Sequence, residues 1–167
     1  MKTVLAFDFG ASTGRAIKAR FDGKAISYEE IHRFDNIPKE VDGHVCHDVD
    51  MILSQIKAAI DKAGDIDSIA FDTWGVDYAL LDSDGKIIHE PYHYRDERTK
   101  NSLEKAFAKI SADDLYAETG NQIMNINTLF QLISDSNLEK ADKLLFMPDL
   151  FAYLLTGKKV CELSIAS

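Results

Sequence analysis

Two apolar runs joined by a glycine-bracketed polar turn constrain this chain more than any other stretch. Thr3 to Phe7 reads as a buried strand leading into Asp8. Gly10 and Gly14 bracket a turn carrying the Ser12 and Thr13 hydroxyls, and a second alternating run, Ala16-Ile17-Lys18-Ala19-Arg20-Phe21, follows at once. The pattern predicts strand, turn, strand, with no helix after the glycines. That excludes the phosphate loop ending in Gly-Lys-Ser/Thr and the dinucleotide fingerprint, both of which open a helix. A turn with two glycines lets main-chain amides converge on a phosphate. A carboxylate at its mouth suits Mg²⁺, which takes few carboxylates alongside phosphate oxygens. The spacing equally describes an ordinary hairpin whose glycines serve turn geometry alone.

Asp22-Gly23 signals a hairpin into a third strand over 25–34. Residues 35–47 read as a loop with a short extended piece at its end. His44 and His47 have no third ligand nearby and read as surface side chains. Asp48 caps a helix in which Val49, Ile52, Ile56, Ala59 and Ile60 recur at helical spacing, and Gly64 ends it. Ile66 to Phe71 reads as a central strand, so the chain opens β-β-β-α-β. Next come Asp72-Thr73-Trp74-Gly75-Val76-Asp77, a strand at Tyr78–Leu81, and a hairpin at Asp84-Gly85 into 86–88. The space beyond a strand's C-terminal end is where α/β folds place ligands. There Trp74 offers a flat face to a sugar and Gly75 permits close approach, although plain packing of the Trp is the reading the residues favour on their own.

Arg95, Asp96 and Arg98 cluster beside Tyr92 and Tyr94, a grouping able to hydrogen-bond several hydroxyls. Glu97 and Arg98 read instead as a surface ion pair at a helix start. Ser111 to Asp114 forms a capping box for a helix ending near Gly120, Thr128 starts another, and Lys143–Phe146 is a last strand. A helix over 150–156 ends at Gly157, and an extended tail over 158–167 follows.

The length, 167 residues, allows one domain or one lobe, and 46% hydrophobic residues suffice for a core. A net charge of −9 with no basic cluster argues against nucleic acid and anionic membrane surfaces. The N-terminal residues reach Asp8 too soon for a signal peptide, and no run is long enough to span a bilayer. Cys46 and Cys161 have no motif spacing and read as reduced thiols of a cytoplasmic protein.

Taken in order over nearly the whole chain, several segments resemble the FGGY family of carbohydrate kinases. They are Asp8 through Arg15, Ile31-His32-Arg33-Phe34, Asp48-Val49-Asp50, Ile69 through Asp77, Tyr94-Arg95-Asp96, and Leu145 through Asp149 on to Leu155-Thr156-Gly157. The resemblance implies an α/β, ribonuclease-H-like fold of the actin and hexokinase type. Its central mixed sheet would begin with an antiparallel meander of three strands and carry helices on both faces. It implies that residues 1–167 are a single domain, the N-terminal lobe of a two-lobed kinase. ATP and Mg²⁺ would be its cofactors, and the γ-phosphoryl group would pass to the 1-hydroxyl of L-rhamnulose. On that reading Ala11, Ser12, Thr13, Gly14 and Arg15 cradle the ATP phosphates and Asp8 helps hold Mg²⁺. Gly75 lies against the sugar, with Trp74, Arg95 and Asp96 as further candidates for its wall.

Phosphoryl transfer also needs a base for the attacking hydroxyl. In the family it sits in a His-Asp-Thr segment of the second lobe, and no such segment occurs here, so no catalytic residue is expected in this chain. His47-Asp48-Val49 comes nearest but starts a helix. Leu163 to Ser167 also departs from the family's Thr-Asn-Ala-Ser/Thr, with Ile165 in the place of Asn. The chain alone is therefore expected to be inactive and to self-associate weakly through an apolar face that would otherwise meet the second lobe. A fuculokinase- or xylulokinase-like sugar choice, and a non-catalytic sugar-sensing module, are the competing readings.

Overall fold

In chain order the elements are β1 (Lys2–Phe9), β2 (Thr13–Phe21), β3 (Ile26–Asp35), β4 (Lys39–Val41), β5 (His44–Cys46), α1 (Val49–Ala63), β6 (Ser68–Thr73) and β7 (Tyr78–Leu81). They continue as α2 (Ser102–Phe107), α3 (Ala112–Thr119), α4 (Thr128–Ile133), β8 (Lys143–Phe146), α5 (Met147–Thr156) and α6 (Leu163–Ala166). The computed structural model describes residues 1–166; Ser167, the end of the expected tail, lies outside the described residues. The chain divides into two compact units. The first takes residues 1–38, 48–75 and 145–167, the second 39–47 and 76–144. Because the chain passes between units after residues 38, 47, 75 and 144, no single linker marks the division.

In the first unit β1, β2 and β3 form the expected antiparallel meander, and β6 lies parallel to β1, giving the order β3-β2-β1-β6. The period of two puts Leu5, Phe7 and Phe9 on one buried face. Phe7 pairs in register with Ala16 and Phe71, and Phe9 with Gly14. Helix α1 begins where the Asp48 carboxylate accepts the Met51 amide at 3.1 Å, and it buries Val49, Ile52, Ile56, Ala59 and Ala63. The Lys18 ammonium caps its C-terminal end at the Ala63 carbonyl, and His32 meets Gln55 at 2.8 Å. Lys18 and His32 share the face of Ala16 and Phe7, so α1 covers the phenylalanine face. Helix α5 covers the same face, its Phe151 ring lying 5.4 Å from Phe9 and 6.1 Å from Phe71.

Within this unit α1 and α5 thus share one face of the sheet. The opposite face carries Val4, Ala6, Ile17 and Ala19 beside Asp8, Arg15, Ala70 and Asp72, the last two exposed. Strand β6, expected at the centre, lies at the edge of this sheet and alternates exposed and half-buried residues. The connection after β2 is a four-residue Asx turn rather than a two-residue one. Phe21 pairs with Ile26, and the Asp22 carboxylate accepts the Lys24 and Ala25 amides at 2.8 Å each. The tail is not extended. The Asp149 carboxylate holds the Glu162 amide at 3.2 Å, and Glu162 in turn accepts the Ser164 amide at 3.0 Å, starting α6.

In the second unit β4 and β5 form a hairpin; β5 is the expected short extended piece, and β4 stands where the sequence predicts loop. Asp42 and Gly43 have φ of 52° and 81°, the left-handed pair that suits a tight hairpin turn. All four residues of β7 are buried, and its Leu81 carbonyl accepts the Asp142 amide at 2.8 Å, just before β8. The strand expected at 86–88 shrinks to one bridge between Leu81 and Ile87. Helices α2, α3 and α4 bury Ala106, Leu115 and Phe130 together, with Leu103, Ile110 and Ile123 packed around them. Ser111 caps α3 through the Asp114 amide at 3.1 Å, and left-handed Gly120 closes it as expected. Both cysteines are free, as the sequence implies, and burial pushes the Cys46 thiol up to about 11.

Candidate functional site

The glycine turn is tighter than the sequence suggests. The Gly10 amide donates to the Thr13 carbonyl at 2.8 Å. Buried Asn36 pins the turn from β3. Its side-chain amide donates to the Gly10 carbonyl and its main-chain amide to the Ser12 carbonyl, each at 2.9 Å. Thr13, Gly14 and Arg15 already belong to β2, in register with Asp35, Phe34 and Arg33. Of the five residues expected to cradle the phosphates, Ala11 and Ser12 lie in the turn ahead of β2. These two are the turn residues whose amides make no hydrogen bond among the described residues. Gly14 has a different reason to be glycine. A Cβ there would lie 2.2 Å from the Phe34 ring, so packing rather than anion approach demands it.

Asp8 lies at the end of β1 on the face away from the phenylalanines. Its carboxylate is 2.9 Å from the Arg15 guanidinium across the ladder, and each side chain is 41% exposed. It is neither buried in the interior nor cut off from a ligand. Asp72 stands beside it in register on β6. Among the described residues no group of three His, Cys, Asp or Glu side chains could hold a metal ion. A single accessible carboxylate nonetheless fits Mg²⁺, which is commonly held by one or two carboxylates together with substrate phosphates and water.

The first unit also holds Trp74 and Gly75. The Thr73 hydroxyl donates to the Trp74 carbonyl at 2.8 Å, and Trp74 is half-buried. Gly75 is exposed and a Cβ on it would meet nothing within 4 Å, so the chain's own packing does not require glycine there. The second unit holds Arg95 and Asp96. Arg95 is exposed, its guanidinium 5.4 Å from the centre of the Tyr94 ring.

Asp96 does not fit the sugar wall. It is 6% exposed, and its oxygens accept the Val45 amide at 2.8 Å, the Arg98 amide at 3.0 Å and the His44 ring at 3.1 Å. Burial works to raise its pKa, but those bonds outweigh it and hold the carboxyl below its usual range. Asp96 is an internal cap joining β5 to the following helical turn.

A buried polar chain in the second unit was not foreseen. His47, expected at the surface, is 1% exposed and meets the Asp77 carboxylate at 2.6 Å. Asp77 also accepts from the Gln131 side chain at 2.7 Å and the Tyr94 amide at 3.2 Å. Arg98, expected in a surface ion pair, is buried instead. It grips the carbonyl and side-chain oxygens of Gln131 at 2.7 and 2.6 Å and lies 4.1 Å over the Tyr92 ring. His93 packs 4.6 Å from His47, and burial, reinforced by that ring, lowers its pKa to about 4. One sequence signal pointed here. Asp77 directly precedes an unbroken apolar strand, and a carboxylate drawn into such a place needs a partner.

The fold recurs in solved sugar kinases. The ligand-bound xylulose kinase of Lactobacillus acidophilus superposes with a TM-score of 0.81 at 19% identity, covering 99% of this chain and 36% of that one. The gluconate kinase of the same organism gives 0.81 and 19%, covering 99% and 35%. At such identity the likeness defines the class of fold, a ribonuclease-H-like α/β lobe. The sequence goes further: residues 3–167 match the N-terminal domain of the FGGY family of carbohydrate kinases, and the chain belongs to that family. Curated relatives include the rhamnulokinases of Bacteroides thetaiotaomicron, 45% identical over 171 residues, and Oceanobacillus iheyensis, 40% over 172. They match 97% and 98% of this chain, which spans 35% and 37% of their own length.

Proposed function

We propose that this chain is the N-terminal lobe of an ATP-dependent sugar kinase that phosphorylates the 1-hydroxyl of L-rhamnulose. The observation that carries the kinase reading is the turn itself: the amides of Ala11 and Ser12, which make no hydrogen bond among the described residues, follow within four residues of the solvent-reachable carboxylate of Asp8. On this reading those amides, the Ser12 and Thr13 hydroxyls and the Arg15 guanidinium bind the ATP phosphates. Asp8 holds Mg²⁺, which when bound neutralises phosphate charge. Gly75 and Trp74 face the sugar, Arg95 is a further candidate, and Asp96 is committed to internal partners. The setting is the cytoplasm, where ATP is supplied; no helix among the described residues is long and apolar enough to cross a membrane.

The choice of sugar rests on the curated relatives, since the fold is shared by kinases named for xylulose and gluconate. ADP release by the complete kinase with a panel of ketoses tests both levels. L-rhamnulose is expected to give the highest kcat/KM. Preference for L-fuculose or xylulose would overturn the sugar and leave the kinase standing. No sugar-dependent release with any substrate would overturn both and favour a sensing module.

A further inference from the structure

Val76 has φ 69°, a left-handed conformation that a β-branched residue adopts only when its surroundings impose it. The imposing groups are in α4. The Thr128 hydroxyl donates to the Val76 carbonyl at 2.9 Å and the Gln131 side-chain amide at 3.2 Å. Gln131 is itself immobilised. It is 1% exposed, shares its two amide hydrogens among Val76, the Asp77 carboxylate at 2.7 Å and the Ile126 carbonyl at 3.0 Å, and is clamped on its oxygen by Arg98 at 2.6 Å. The Val76 amide, by contrast, makes no hydrogen bond among the described residues. A strained residue held by two donors on its carbonyl, with its own N–H uncommitted next to Gly75, is the arrangement of a preorganised main-chain donor.

We propose that Gln131 and Thr128 are positioning residues that hold the Val76 main-chain amide as a hydrogen-bond donor to a hydroxyl of the acceptor sugar. The inference rests on the sugar-kinase reading and deepens it, because the donor is supplied by backbone and its aim by α4.

The test uses the complete kinase. Thr128→Val keeps the side-chain shape and removes one bond to Val76; it is expected to raise the KM for the sugar about three- to tenfold, the worth of one neutral hydrogen bond. The KM for ATP should stay within about twofold. Adding Val76→Gly should bring the sugar KM back toward its starting value, since glycine takes positive φ without the Cβ penalty. Gln131→Leu should act in the same direction and more strongly, but it also strips partners from Asp77 and Arg98, so Thr128→Val decides the matter if that variant fails to fold. A merely structural α4 contact would shift the melting temperature or both KM values together, and glycine would not rescue it. Either that pattern or an unmoved sugar KM in an active enzyme overturns the proposal alone. A wild-type enzyme inactive on every sugar overturns it together with the reading beneath it.

Discussion

Gly14 and the Phe34 ring occupy one space, which gives the phosphate turn a packing constraint independent of any ligand. A methyl at 14 would overlap the ring, itself 5.6 Å from Phe9 in an edge contact. Gly14→Ala is expected to destabilise the chain by about 1–3 kcal/mol in urea unfolding, as overpacking does, and Phe34→Leu in the same chain should recover part of it. Asp8 should behave in the opposite way. Its pair with Arg15 is well exposed, and such pairs contribute about 0–1 kcal/mol. Asp8→Asn should therefore leave the unfolding midpoint nearly unchanged while abolishing MgATP binding by calorimetry in the complete kinase. His93 sets an acid limit. Its folded pKa near 4 lies below the unfolded value of 6.5, so its contribution is complete above pH 6.5 and lost as pH falls toward 4. The full change is on the order of 3 kcal/mol, and a His93→Phe variant should show a flatter fall in unfolding midpoint between those pH values. At this scale the sequence could place Asp8 near the end of β1, where an apolar run gives way to a glycine turn. It could not locate His47 or Arg98, whose partners Asp77 and Gln131 stand 30 and 33 residues away.

Among the elements, those with local signals were the ones that could be read. Helix α1 announces itself by an N-cap, a full stripe at helical spacing and a terminal glycine, and α3 by its capping box and Gly120. Asp48→Ala should cost about 1 kcal/mol of stability by removing the bond to the Met51 amide, measured by thermal or urea unfolding against Asp48→Ser as a conservative control. Where elements are short the pattern fails. Strands β4 and β5 have three residues each, too few for an alternation to register on either side of the left-handed Asp42-Gly43 turn. Helix α6 depends on Asp149 holding Glu162 from 13 residues away, which no local pattern reveals. The shared face of α1 and α5 is likewise a matter of register: only the pairing of β1 with β2 shows that Lys18 and Ala16 share the face of the phenylalanines.

At the scale of the whole molecule, two compact units are interleaved in sequence, and the chain spans about a third of the length of its curated relatives. Deprotonating a sugar hydroxyl needs a base within hydrogen-bond reach of it. The buried carboxylates of Asp77 and Asp96 are committed to internal partners, Asp8 faces Arg15, and the sequence contains no His-Asp-Thr segment. The isolated chain is thus expected to unfold in urea from a folded state and yet release no ADP in response to L-rhamnulose over hours in a coupled assay. Release above that of the Asp8→Asn chain would place a working base within these residues. Asp72, exposed and in register beside Asp8, would then be the first side chain to replace.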